Sequence, residues 1–202
     1  MNERNEIIIH ATNGKKYISD FDKKDLPEFP TNCIFNKMRT NCGATEMVLR
    51  GDKPYIIAGP SADLVVNKTT GRKDMLGVKE GVSNAEVEEY GLTHDFIKIF
   101  TTYNSLPRVI TALEKAGRNP QEEVLLVIDE YQILLTDYVL RQDAIIKLFP
   151  IARTFKEVTY MSATPIPDEY MLDELKHLPV YKIEWPDPLD VTIRMHETLN
   201  PM

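Results

Sequence analysis

Short apolar runs rich in β-branched residues, each ending abruptly in polar ones, recur along this chain. They fall near residues 6–11, 32–36, 55–59, 76–79, 96–101, 124–129, 157–161 and 180–184. Runs of this length read as buried parallel strands, whose C-terminal tips are where chemistry collects. Helical patterns lie between them, at about 44–50, 62–68, 83–90, 105–116, 139–149 and 168–176. Strands alternating with such helices predict βαβ units: an α/β fold, with a mostly parallel sheet covered by helices on both faces. Residues 1–30 precede the alternation and read as an N-terminal extension, and 31–185 as the domain itself. Residues 186–202 read as a linker, opening on Pro186-Asp187-Pro188. No second βα array follows residue 190, so a second domain is expected to come from elsewhere.

Composition narrows the class only slightly. A length of 202 residues fits one domain, and 43% hydrophobic with 27% charged residues is ordinary for a globular protein with a core. No run of about 18 apolar residues is present, so no membrane span is expected. The polar start, Met1 to Glu6, followed by three isoleucines, is too short of apolar residues for a signal peptide, and the expected location is the cytoplasm. Cys33 and Cys42 match no zinc spacing and are expected to act as small apolar residues. The four histidines, His10, His94, His177 and His196, form no metal pattern either. A net charge of −7 argues against holding nucleic acid by bulk attraction, although it allows a local basic groove.

Two strand tips carry the candidate chemistry. The run Val124 to Ile128 ends in adjacent carboxylates, Asp129 and Glu130, which suit a hydrated magnesium ion and an attacking water. The run Val158 to Met161 ends in Ser162-Ala163-Thr164. A third candidate follows the strand at 32–36, where a phosphate loop belongs. The pattern GxxxxGK(S/T) can be laid on Met38 to Thr45, where Gly43 and Thr45 match, but Met38 replaces the first glycine and Ala44 the lysine. Backbone amides at a helix start bind phosphate whatever the side chains, and Thr45 offers a hydroxyl to magnesium. What is missing is the ammonium that neutralises the β- and γ-phosphates. Lys37 and Arg39 are nearby cations, and Lys37, at the beginning of the loop, is the better replacement. The alternative is a site that only binds, and binds weakly.

In this order the segments resemble motifs II (DExx) and III (SAT) of superfamily 2 helicases, and the chain resembles their first, ATP-binding RecA-like domain over residues 27–185. It is similar in particular to the divergent DEAD/DEAH-type helicase-like proteins of Bacteroides mobile elements and phages. Lys37, Thr40, Gly43, Ala44 and Thr45 reproduce their loop pattern, with Asn41 where glycine is usual. Phe29-Pro30-Thr31 stands where such proteins place residues that contact the base or shape the loop. Gly59-Pro60-Ser61 resembles motif Ia, and Thr101-Thr102-Tyr103-Asn104-Ser105-Leu106 resembles motif Ib.

The resemblance implies a RecA-like P-loop NTPase fold, with ATP and Mg2+ as cofactors. Asp129 and Thr45 would hold the metal, and Glu130 would activate water. Lys37, Thr40, Asn41, Cys42, Gly43, Ala44 and Thr45 would cradle the phosphates, while Ser162, Ala163 and Thr164 would couple nucleotide state to the nucleic-acid face. Pro60, Ser61, Lys68, Thr102, Tyr103 and Ser105 would meet nucleic acid, DNA ahead of RNA, with Arg72, Lys73 and Lys79 beside Lys68 adding positive charge. A second RecA-like domain, in cis or trans, would supply an arginine finger worth about 10³–10⁵ in rate. The competing reading is a non-hydrolysing RecA-like module that binds nucleic acid or a replication protein. Trp185 reads as a packing residue.

Overall fold

The computed structural model describes residues 5–12, 14–22, 24–136 and 147–186. Eight strands form one sheet: β1 (Glu6–His10), β2 (Cys33–Asn36), β3 (Tyr55–Gly59), β4 (Leu76–Val78), β5 (Lys98–Thr102), β6 (Leu125–Asp129), β7 (Glu157–Ser162) and β8 (Val180–Glu184). Their spatial order is β1-β8-β2-β7-β6-β3-β5-β4, and every pairing is parallel. The strands β2, β3 and β6 are buried at every position, because a parallel sheet covered on both sides exposes neither row of alternating side chains.

The two faces have separate cores. On one, Ile34, Ile56, Leu126, Ile128 and Tyr160 pack with Val87 of α3 (Asn84–Thr93) and Val109 and Leu113 of α4 (Leu106–Lys115). On the other, Phe35, Ile57, Val127 and Met161 pack with Val48 and Leu49 of α1 (Ala44–Arg50) and Val65 of α2 (Ala62–Thr69). Two short helices, α5 (Pro120–Glu123) and α6 (Gln132–Thr136), flank β6 in sequence.

The topology fixes where a ligand would bind. From β2 the chain crosses by α1 to β3, passing the positions of β7 and β6, whereas β7 is followed by β8 on the opposite side of β2. The connections therefore diverge at the C-terminal ends of β2, β7 and β6, and a crevice opens where they part.

Two expectations need correction. The extension is not separate from the sheet: β1 forms its edge, in register with β8 from Glu6↔Val180 to His10↔Glu184. The predicted helix over 168–176 is instead a pair of single 3-10 turns, Asp168–Tyr170 and Asp173–Leu175. Met171 and Leu172 are extended at ψ 136 and 135, and this break lets both Met171 and Leu175 reach the core. Of the predicted helix at 139–149, residues 137–146 lie outside the described part, and residues 147–152 are helical. Almost all of the expected linker, 187–202, also lies outside it. Among the described residues no helix is long and apolar enough to cross a membrane.

Candidate functional site

The loop after β2 is built on three left-handed residues, Met38 (φ 57), Asn41 (φ 55) and Gly43 (φ 85), the last as N-cap of α1. Glycine takes this conformation freely, while an ordinary side chain costs roughly 1–2 kcal/mol there. Met38 therefore carries backbone strain that a glycine at the same position would not. It is braced from two sides. The Ile18 amide donates to the Cys42 carbonyl at 2.8 Å, and the Trp185 indole N–H donates to the Lys37 carbonyl at 2.9 Å. The Trp185 ring lies 4.7 Å from the Arg39 guanidinium and 5.5 Å from the Phe21 ring.

Ala44 leaves no cation at the start of α1, and the ammonium arrives from the strand tip instead. Lys37 Nζ lies 3.2 Å from Asp129 Oδ1 and 2.7 Å from Glu130 Oε1. Thr45 Oγ1 donates to the other Asp129 oxygen at 3.1 Å, and Gln132 Nε2 donates to Glu130 Oε2 at 2.7 Å. Lys37 is 5% exposed and Asp129 3%. Burial pulls the lysine pKa down, but the fields of Asp129 and Glu130 outweigh it and hold Lys37 above its ordinary value, as a cation. Burial pushes the Asp129 carboxyl up, against the opposing pull of Lys37. A cleft of about 260 Å³ opens onto this group, lined also by residues 40–45 of the loop and by Leu64 and Lys68 of α2. Larger cavities, of about 320 and 480 Å³, lie elsewhere and contain no such cluster.

The segment after β7 touches both neighbouring tips. The Ser162 carbonyl accepts from the Lys37 amide at 2.8 Å, and the Met161 carbonyl accepts from the Tyr131 amide at 3.2 Å. The Ser162 hydroxyl donates to the Thr164 carbonyl and accepts from its amide, closing a tight turn. Ala163 is half-buried and Thr164 exposed.

The residues expected on a nucleic-acid face divide. Pro60 is half-buried and Ser61 exposed, with the Ser61 hydroxyl capping α2 through the Leu64 amide. Thr102 is half-buried and accepts from the Ser105 amide. Tyr103 and Ser105 are buried, 2% and 7% exposed, and present no surface to a polymer. Lys68 and Arg72 turn toward α1, where Glu46 lies 3.6 and 2.7 Å away, and Lys68 lines the cleft beside the loop. Lys73 and Asp74 are exposed, and Asp74 pairs with Lys98 rather than with the basic cluster.

Sequence reasoning missed Gln132, Tyr103 as a support and Trp185 as the brace of the loop. Gln132, three positions after Asp129, and Tyr103 both lay within motifs, but neither motif pointed to the bond the residue makes. Among the described residues no group of three His, Cys, Asp or Glu side chains could hold a metal unaided. Cys33 and Cys42 are free and buried, and burial pushes the Cys33 thiol up to about 12, so both are inert apolar fillers.

No family pattern matches the chain, and no curated protein is a significant match. Among solved structures, the fold is similar to the crystal structure of the Pyrococcus furiosus Hef helicase domain, with a TM-score of 0.51 and 14% identity. That likeness covers 80% of this chain and 37% of the other. At such identity it shows the fold: a RecA-like α/β domain of the helicase type. The chain spans little more than a third of the structure it matches.

Proposed function

We propose that this chain is the magnesium-ATP-binding half of a helicase or translocase acting on nucleic acid, DNA ahead of RNA. The observation that carries the reading is the buried group of Lys37, Asp129, Glu130 and Thr45 beside a phosphate-type loop. Counting the first three alone, the group bears one positive and two negative charges. That is repulsive to a polyphosphate and attractive to a divalent cation. A carboxylate and a hydroxyl on adjacent elements are hard oxygen donors of the kind magnesium takes, usually with several waters retained. Asp129 and Thr45 would therefore hold the ion, and Lys37 would turn from the acids to the phosphates. When bound, magnesium neutralises phosphate charge and orients the γ-phosphoryl group.

The protein's own groups do the rest. Loop amides between residues 40 and 45 hold phosphate oxygens. Once Lys37 leaves it, Glu130 is free to accept the proton of an attacking water, while Gln132 keeps the carboxylate aligned. Ser162 and its turn, bonded to the Lys37 amide, pass a shift of the loop to the tip of β7. Pro60, Ser61 and Thr102 remain as candidate nucleic-acid contacts. A second RecA-like domain would complete the nucleotide site. The finer likeness, to the divergent helicase-like proteins of Bacteroides elements and phages, rests on Lys37, Thr40 and Gly43 to Thr45. A cytoplasmic location goes with this role.

One observation favours a second reading. Ala44 stands where the catalytic lysine of the common pattern would be, which suits a module that binds nucleotide without hydrolysing it. Equilibrium binding of a fluorescent ATP analogue, with and without magnesium, tests the first part: affinity should fall at least tenfold in EDTA. Binding indifferent to magnesium would count against the metal site. Single-turnover hydrolysis of the bound nucleotide would then mark a motor half, while its absence marks a binding module only if it persists once a second RecA-like domain is supplied.

A further inference from the structure

Tyr103 opens a single 3-10 turn after β5, Tyr103–Ser105. Its ring is buried, and its hydroxyl reaches the backbone of a strand that is not its neighbour, since β3 lies between β5 and β6. There it donates to the carbonyl of Asp129 and lies 3.1 Å from the carbonyl of Glu130. Those carbonyls belong to a turn in which Glu130 takes φ 56. A glutamate gains nothing from this conformation by itself, and such residues persist only where their surroundings over-determine them. The turn has a consequence for the side chain. It brings Glu130 Oε1 to 2.7 Å from Lys37 and Oε2 to 2.7 Å from Gln132.

We infer that Tyr103 is a positioning residue whose hydroxyl holds the Asp129–Glu130 turn in its left-handed form and so aims Glu130 at the cleft. Its catalytic consequence rests on the nucleotide reading above; its structural consequence does not. The phenol receives no substrate and no proton from it. It fixes two peptide oxygens, and through them the direction in which the next side chain leaves the backbone. The same turn carries exposed Asn104, and Thr102 caps it. A ligand settling on the tip of β5 therefore bears on the support of Glu130, two strands away. This also accounts for a Tyr in a segment that otherwise presents small polar residues.

A double-mutant cycle on the full chain tests the inference without nucleotide. In Glu130→Gly the turn stays left-handed without strain and its carbonyls still need the hydroxyl, whereas the wild-type turn, once released, relaxes and recovers part of the loss. Tyr103→Phe should therefore lower the folding equilibrium constant about tenfold in Glu130→Gly, and less than threefold in the wild-type background. Equal losses in both backgrounds would overturn the inference. The catalytic arm compares wild type with Tyr103→Phe in magnesium-ATP: affinity by calorimetry within twofold, single-turnover hydrolysis down at least tenfold. Hydrolysis unchanged, or affinity and hydrolysis falling together, contradicts the positioning role. A wild type that takes up no magnesium-ATP sinks the nucleotide reading, and the cycle still decides the role of Tyr103.

Discussion

Lys37 stands at the centre of the site because it is the cation between two acids that have little water. Removing it leaves Asp129 and Glu130 facing each other without compensation. Lys37→Met should cost about 3 kcal/mol at neutral pH, as expected when one partner of a buried ion pair is lost, measured by urea denaturation. The pH dependence has a definite sign. Burial raises the Asp129 pKa in the folded state, so its contribution to stability is present below the ordinary carboxylate value of 3.8 and lost as pH rises through the raised value. Asp129→Asn cannot titrate. It also loses the ion pair with Lys37, so the linkage sets the trend of its stability relative to wild type rather than the sign: the difference should move in the variant's favour as pH rises through the raised Asp129 value. A difference constant across that range would exclude Asp129 as the titrating group. Lys37 has the complementary behaviour: raised by its acids, it contributes stability until the pH climbs past its ordinary value of 10.5 and through the raised one. Met38 offers a cleaner backbone test. Its left-handed φ of 57 is strained, so Met38→Gly should stabilise by about 0.5–1 kcal/mol after the added chain entropy is subtracted.

At the level of elements, β2 positions everything, because its last residue leads directly into Lys37. Its start is pinned across the sheet. Asn32, at φ 52, donates to the Lys156 carbonyl at 3.1 Å and accepts from the Val158 amide at 3.1 Å, joining the beginnings of β2 and β7. Asn32→Ala gives up both bonds and the tolerance of positive φ, and should cost about 1–2 kcal/mol in thermal or chemical denaturation. The strands were legible in the sequence because a doubly covered parallel sheet writes itself as continuous apolar runs. The acidic and Ser-Ala-Thr tips were legible because each such run stops at a polar residue. Turns were less so. The 168–176 segment spaces Met171 and Leu175 as a helix would, yet two extended residues break it, and the spacing cannot distinguish these cases. Tyr103 was misjudged for a related reason: a Tyr among Thr, Asn and Ser reads as surface, and its partners, the Asp129 and Glu130 carbonyls, are remote in sequence. No local pattern encodes a bond between backbone carbonyls and a side chain on the turn that follows a strand two places away.

For the molecule as a whole, the sheet brings the tips of β2, β7 and β6 side by side and gathers a cation, two acids and a hydroxyl from segments as far apart as Lys37 and Glu130. The formal charge of −7 gives no general attraction for nucleotide or nucleic acid, so affinity for a nucleotide has to come from local groups such as those of this cleft. That makes the account easy to test. Isothermal titration of magnesium-ATP into wild type, Lys37→Ala and Asp129→Ala is the most direct measurement. The account predicts binding by wild type and a loss of at least tenfold in both variants, about 1.4 kcal/mol or more. Binding by wild type that survives Lys37→Ala unchanged, or no binding by wild type at millimolar ATP, would contradict it.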